Sequence, residues 1–389
     1  MRSSKSSTDF EILIVGAGIL GLSTAYNLLR CGVKSLAIVD QNGLANSAGS
    51  SRGESRIARS IYADSKFTDL ALVAFKNDWP RMQSDFGKTL LVPRSAYYFG
   101  PSKVILPSYS TTLSRFKHFQ QHSPNAGEHH LPQLRKLPSD YTILEDESAS
   151  IIRARTTLES LRDYITEKDS VHIERANVNA ITQHRNQFII ETQKAQISTK
   201  HVILATGPWT RKICPEYQHQ LLVIPQTVVF FDASSFPESS SSWPAWVHIE
   251  RLGENPRIHY SIPPFAGEPL KLAYEEQSPS EAIEAPNDEC LLRQDNLVSY
   301  ANSILRPDVD WNLTKSELCY YTLAKERHIK LDWISGQARG IVISAGSGHA
   351  FKFGPLLGRI ASNLILHGNS GVPEFDKLQN AFAFNSSTA

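Results

Sequence analysis

Phe10-Glu11-Ile12-Leu13-Ile14-Val15-Gly16-Ala17-Gly18-Ile19-Leu20-Gly21 decides the fold of this chain. A β-type, mostly apolar run leads straight into Gly-x-Gly-x-x-Gly. From Ile19 to Arg30 the apolar positions recur with helical spacing until Gly32 stops them. Ser35–Val39 reads as a second strand, and Asp40 ends it about twenty residues after the glycines. Gly16 permits the tight turn, Gly18 lets the backbone approach a pyrophosphate, and Gly21 lets helix and strand pack closely. The free N–H groups and partial positive charge at the helix start, around Ile19, face the phosphates, and Asp40 faces ribose hydroxyls. Glycines alone would suit a turn in another α/β fold. Strand, helix and acid around them specify a dinucleotide site, though they do not choose between FAD and NAD.

The rest of the composition bounds the answer. The chain has 389 residues, 41% hydrophobic and 20% charged, with a formal net charge of +1. That is a globular composition with room for two or three domains and no basic run of the kind that binds nucleic acid. Residues 1–8 are polar and read as a disordered tail with no apolar core of a signal peptide. No apolar stretch reaches the ~18 residues of a membrane span, and the terminal Asn-Ser-Ser-Thr-Ala is no peroxisomal address. A cytoplasmic protein without membrane or nucleic-acid partners is the expectation. Cys31, Cys214, Cys290 and Cys319 are far apart and form no paired motif, so neither a disulfide framework nor a metal site is predicted.

Further along, residues 43–62 read as a loop, 64–90 as helical and 90–99 as strand, while 101–142 are weakly patterned. A helix over 157–167 precedes strands near 171–180, 187–193 and 200–205, which suit a small meander. Strand-like runs at 221–231, 246–251, 257–262 and 270–275 predict a second, mostly antiparallel unit, followed by a helix over 291–305. Strands at 319–322 and 340–344 and a helix from 351 to 367 close the chain. The fold class is thus mixed α/β (α+β). Residues 9–85, 145–215 and 315–389 are assigned to a discontinuous Rossmann-type dinucleotide-binding domain, and 86–144 and 216–314 to an antiparallel-sheet substrate domain.

Four segments select the flavin. Ser50-Ser51-Arg52-Gly53-Glu54-Ser55-Arg56-Ile57-Ala58-Arg59 with Tyr62 resembles the loop after the second strand in the monomeric sarcosine oxidase family, which includes N-methyltryptophan and pipecolate oxidases. Ala205-Thr206-Gly207-Pro208-Trp209-Thr210 is similar to its strand-end flavin motif. Cys319-Tyr320-Tyr321-Thr322 and Ser347-Gly348-His349-Ala350-Phe351-Lys352-Phe353 are similar to its C-terminal flavin segments. The matches keep the family's order from about residue 10 to 367.

The resemblance implies a monomeric FAD enzyme that oxidises the C–N bond of a small secondary amino acid. A hydride equivalent passes to the flavin, the imine hydrolyses, and O₂ is reduced to H₂O₂. It implies a thioether from Cys319 to the flavin ring, and FAD contacts from Ser50, Ser51, Val178, Gly207, Trp209 and the Gly346–Gly348 turn. It places Lys271 over the flavin face, where a fixed cation aids O₂ reduction, and Arg56 near the ring. Arg59 and Lys352 become the pair that grips a substrate carboxylate, a fork and a point charge. His349 becomes a flavin-side histidine, and Tyr260 and Tyr321 substrate-pocket tyrosines. Read without the resemblance, these residues are equally a buried thiol, surface cations, phosphate contacts and core aromatics.

The chain also departs from that pattern. Where sarcosine oxidases carry histidine, four residues after the lysine, it has Glu275; fructosyl-amino-acid oxidases share this Lys–Glu spacing but lack the Arg56-x-x-Arg59 pair. The pocket therefore reads as hybrid, suited to a larger substrate such as a fructosyl-amino acid or saccharopine, with sarcosine itself a poor one. A flavin dehydrogenase or desaturase of a biosynthetic pathway, a flavin-binding protein without turnover and an NAD(P)H-using reductase remain open readings. Ala345, Gly346 and Ala350 also differ from the family's glycine pattern, which bears on the turn's backbone.

Overall fold

The computed structural model describes residues 7–232, 242–252, 257–286, 293–334 and 339–384; Cys290 and part of the 251–257 insertion lie outside them. Among the described residues the strands form sheets of eight, eight and three strands. The first sheet contains β1 (Ser7–Val15), β2 (Leu36–Asp40), β9 (Val171–Arg175), β10 (Val178–His184), β11 (Gln187–Thr192), β12 (Gln196–Leu204), β18 (Lys330–Trp333) and β19 (Gly340–Ser344). Its parallel centre runs β9-β2-β1-β12-β19. β12 is shared: its first half pairs with β11 and its second with β19. The near-continuous apolar runs of β1 and β2 follow from burial on both faces, as expected of a parallel sheet.

The second sheet contains β5 (Ala96–Pro101), β6 (Phe119–His122), β7 (Tyr141–Asp146), β13 (Leu221–Asp232), β14 (Ala245–Arg251), β15 (Arg257–Ile262), β16 (Leu270–Tyr274) and β17 (Asn312–Ala324). Its order is β17-β13-β16-β15-β14-β5-β7-β6, and β14–β5 is a parallel pair within an otherwise antiparallel sheet. One face packs against helix Gln294–Ile304: Val229, Phe231, Trp246, Leu270 and Leu272 form a core with Leu297 and Ala301. β3 (Ser55–Ala58), β4 (Leu91–Pro93) and β8 (Ser150–Arg153) form the small third sheet.

Helix Ile19–Arg30 lies against helix Gly354–His367 at a distance only small residues allow. A Cβ on Gly358 would fall 2.5 Å from the Ser23 backbone, and Ser362 Oγ donates to the Thr24 carbonyl at 3.2 Å. Asp78, fully buried, ties the second of these helices down. Arg359 reaches it at 2.7 and 3.0 Å and Arg81 at 2.6 Å.

Several sequence expectations need correction. Ser7 and Thr8 belong to β1, paired with Gln196 and Ile197, because the long edge of β12 continues past the apolar run. The stretch 171–180 divides: β9 pairs with β2, and only β10 begins the meander. The helical region 64–90 is broken by a π-helical turn, Ala74–Asp78, which carries the buried Asp78. The weakly patterned 101–142 contains a 14-residue helix, Ser102–Arg115, anchored by Ile105, Tyr109 and Thr112 despite an internal Pro107. None of the helices is long and apolar enough to cross a membrane, among the described residues.

Candidate active site

Four parallel strands end together, and each hands over to a loop of the site at its C-terminal end, the place where open α/β sheets bind ligands. Val15 leads to Gly16, Asp40 closes β2, Leu204 leads to Ala205, and Ser344 leads to Ala345. The loops are stitched to one another: Gly16 N donates to Val39 O and Ala205 N to Val15 O, both at 2.8 Å. Between these loops and the second sheet lies one cavity of about 920 Å³. The candidate cofactor and catalytic residues named from the sequence line it, with the exception of Gly21. Gly21 packs instead, since a Cβ there would sit 1.9 Å from the Gly16 carbonyl oxygen.

At the dinucleotide end Gly16 has φ +102°, and a side chain would strike the Ala205 carbonyl at 2.4 Å. Asp40 is the centre of a small network, accepting from Ala17 N at 2.8 Å, Asn42 N at 2.7 Å and Asn46 Nδ2 at 3.0 Å. Burial raises its pKa, opposed by those N–H donors. Ser51 Oγ accepts the first helix N–H, that of Ile19, at 3.0 Å, and Ser50 Oγ donates to the Tyr320 carbonyl at 2.7 Å. Val178 borders the same end, with Asn177 and Asn179. Gly207 (φ +54°) and Trp209 form a 3₁₀ turn held by hydroxyls: Ser344 Oγ donates to Thr210 Oγ1, which lies 3.0 Å from Thr206 Oγ1.

Register explains the opposite wall. Cys319 of β17 stands opposite Gln226 of β13, Phe230 opposite Lys271 of β16, and Lys271 opposite Ile262 of β15. Alternate residues of these strands share a face, so Gln226, Val228, Phe230, Cys319, Lys271 and Tyr260 all look into the cavity. Lys271 is 9% exposed. Burial, and then the Arg56 guanidinium, pull its pKa down to about 7. Tyr260 is pushed up to about 12, chiefly by burial. Arg56 donates to the carbonyls of Ser50, Arg52 and Ser55 and stacks 5.3 Å over Phe351.

Tyr62 organises the remaining cations, a part the sequence quoted only as the end of a loop motif. Arg59 lies 4.1 Å over its ring. Its hydroxyl meets His349 Nδ1 at 3.2 Å and accepts from Lys352 Nζ at 3.2 Å. Lys352 is 5% exposed; burial, then Arg59, hold its pKa well below the ordinary lysine value, against the pull of Glu275. Burial, then Lys352, lowers that of His349 as well. Desolvation in the cavity raises Glu275, and the charges of Arg59, Lys352 and Arg327 oppose it. Arg327 escaped the sequence reading. It sits at φ +58° in the turn after β17, a conformation a non-glycine residue rarely adopts.

The turn after β19 is also strained: Ala345 (φ +51°), Ser347 (φ +46°) and Gly348 (φ +75°) are left-handed in close succession. Alanine therefore takes the glycine-like conformation at 345. A Cβ on Gly348 would lie 2.6 Å from the Tyr321 ring. The turn opens directly into the 3₁₀ turn Ala350–Phe353 and helix Gly354–His367. Of the cysteines, Cys319 is partly exposed in the cavity, Cys214 is buried with its thiol pushed up by burial, and Cys31 is exposed.

The geometry defines a dinucleotide-binding α/β protein whose cofactor cavity is closed by an antiparallel sheet bearing cations. The chain belongs to the FAD dependent oxidoreductase family, whose model matches residues 11–364. Monomeric sarcosine oxidase of Bacillus sp. (strain NS-129) is 24% identical over 379 residues, 94% of this chain and 95% of that one. N-methyl-L-tryptophan oxidase of Salmonella heidelberg (strain SL476) is 22% identical, covering 94% and 96%. The solved structure of NikD, an amino acid oxidase essential for nikkomycin biosynthesis, superposes with a TM-score of 0.85 at 18% identity over 98% of this chain and 99% of that one. The protein is thus an FAD-dependent oxidoreductase, similar over nearly its whole length to monomeric sarcosine oxidases. The residues fit the cofactor: Gly16 leaves no room for a side chain at the first turn, and Thr322 Oγ1 is a buried hydroxyl lining the cavity without a protein partner.

Proposed function

We propose that this enzyme is an oxidase of the C–N bond of an N-substituted or cyclic secondary amino acid, with FAD joined to Cys319 and O₂ as electron acceptor. The observation that carries the reading is the cluster of Arg59, Lys352 and His349 around Tyr62, facing Lys271 and Glu275 across one cavity. When bound, the flavin accepts the hydride equivalent and returns two electrons to O₂, so that substrate leaves as an imine for hydrolysis and H₂O₂ forms.

The protein's part is to bind and orient. Arg59 offers a substrate carboxylate its guanidinium fork, fixed by stacking on Tyr62 and by a 2.6 Å bond to the Ile61 carbonyl. Lys352, whose pKa burial lowers, is drawn towards its ammonium form by an arriving carboxylate, because an opposite charge favours the charged state. Lys271, near pKa 7, holds a proton at Nζ within the wall. Arg56, Lys271 and the turn at 346–348 line the space assigned to the ring.

Glu275 favours a more specific second reading, a substrate larger than sarcosine that carries a cationic or hydroxyl-rich group. Its carboxylate lies among the charges of Arg59, Lys352 and Arg327 and accepts from Gln277 at 3.1 Å. If Glu275→His left the ranking of a panel of N-substituted amino acids unchanged, that reading would fall.

Acid precipitation of the purified yellow protein tests the thioether. Colour should stay in the pellet for the native chain and move to the supernatant for Cys319→Ser. Peroxide release in air with the same amino-acid panel tests the acceptor, and turnover without peroxide would replace the oxidase by a dehydrogenase.

A further inference from the structure

The second sheet carries metal-ligating side chains on the face turned away from the cavity. Tyr97 of β5 stands directly opposite Glu145 of β7. On the edge strand β6, His122 stands opposite Ile143, two residues from Glu145, so His122, Glu145 and Tyr97 share one face. Tyr98 points the other way and lines the flavin cavity. His130, the last residue of helix Gly127–His130, completes the group. One donor atom each from His122, His130 and Glu145 lie within 4.8 Å of one another.

Hydrogen bonds orient these ligands. His122 Nε2 lies 2.8 Å from Glu145 Oε2. The Tyr97 hydroxyl donates to the other oxygen, Oε1, at 2.7 Å and lies 3.0 Å from His130 Nδ1. With its single proton committed to the carboxylate, the tyrosine oxygen accepts from His130 Nδ1–H, which leaves a lone pair on Nε2. Beside His130 a second cavity, of about 400 Å³, is bordered by Arg94, Tyr97, His129 and Trp243. In the other comparable group among the described residues, His248 and Glu250 are already engaged by protein side chains. Both ring nitrogens of His248 have tyrosine hydroxyl partners, and Arg257 lies 3.2 Å from the Glu250 carboxylate.

We propose that His122, His130 and Glu145 form a site for a divalent transition-metal ion of zinc's borderline character, with a coordination position open to water and Tyr97 as the positioning residue behind it. Two imidazoles and a carboxylate suit such an ion, and the hydroxyl bonded to both a ligand histidine and the ligand carboxylate is a typical outer-shell support. The ion clips edge strand β6 and the helix at 127–130 to β7. No residue of the site borders the flavin cavity.

The test uses the flavin-loaded enzyme, stripped with a chelator, equilibrated with micromolar zinc chloride and counted by inductively coupled plasma mass spectrometry. One zinc per chain is expected, with a thermal midpoint that rises with zinc concentration because the ion binds only the folded chain. His130→Ala should abolish both. Tyr97→Phe, which keeps the ring, should weaken zinc binding by about 10–100-fold. Cys31→Ser, removing an exposed thiol, should change neither. An enzyme that binds no zinc, or binds it equally in the Tyr97→Phe variant, overturns the proposal. Where His130→Ala fails to fold, Tyr97→Phe alone decides.

Discussion

Replacing Lys271 by methionine takes one ammonium out of the cavity wall while keeping most of the side chain's length. In the folded protein burial, then Arg56, lower this lysine from 10.5 to about 7, whereas in the unfolded chain it keeps the ordinary value of about 10.4. Across the window between these two values the unfolded chain holds the proton and the folded chain has released it. Stability therefore rises with pH there, and the contribution is lost as pH falls towards the folded value; below about pH 7 both states are protonated and it is flat. From about pH 7 to about pH 9 the proton difference integrates to roughly 1.7 pH units, or about 2 kcal/mol. At an unfolding entropy of roughly 2.1 cal/mol/K per residue, a 389-residue chain converts this to about 3 °C. Thermal melts of native and Lys271→Met protein at matched flavin content should show the native midpoint gaining about that much on the variant between the two pH values, with the variant the more stable protein at neutral pH. Parallel curves would refute the desolvated-lysine argument, because nothing else differs between the two proteins. The same titration should appear in the oxygen reaction, which should slow above about pH 7 in the native enzyme and lose that dependence in the variant.

Gly348→Ala should retain little flavin, because φ +75° strains any side chain and the new Cβ would lie 2.6 Å from the Tyr321 ring; the ratio of visible to ultraviolet absorbance measures it. Asp78→Ala leaves Arg81 and Arg359 facing a buried void and should cost about 3–5 kcal/mol, read as a lowered denaturation midpoint. Tyr62→Phe removes the hydroxyl shared by His349 and Lys352 while keeping the ring under Arg59. Steady-state kinetics should show KM for carboxylate substrates rising more than kcat falls.

The first sheet was legible because its signals are local. Gly16, Gly21 and Asp40 act through backbone geometry and neighbouring strands, and short-range periodicity reports both. The same locality explains the failures. Thr8 is not apolar, so its place in β1 comes from β12, nearly two hundred residues away in sequence. The helix at 102–115 is held by Ile105, Tyr109 and Thr112 pressing on distant elements, whereas Pro107 and its serines argue locally against it. Strand pairing in the first case and tertiary burial in the second overrode propensity.

At the site the residue types were readable from motifs, but the way their charges combine was not. Arg59, Lys352 and Glu275 come from β3's following loop, the turn before the last helix and the end of β16, and no spacing rule links them. Arg59 and Lys352 meet at Tyr62, whose single hydroxyl serves both His349 and Lys352. That arrangement has a consequence for specificity. Glu275 feels the charges of Arg59, Lys352 and Arg327 while burial raises its pKa. A substrate bearing only a carboxylate must compete with Glu275 for Arg59 and Lys352, whereas one bearing a second, donor-rich group can engage Glu275 and release the cations to its carboxylate. On the proposed reading, glutamate at this position would disfavour small amino acids and favour larger, donor-rich ones, which the Glu275→His panel tests.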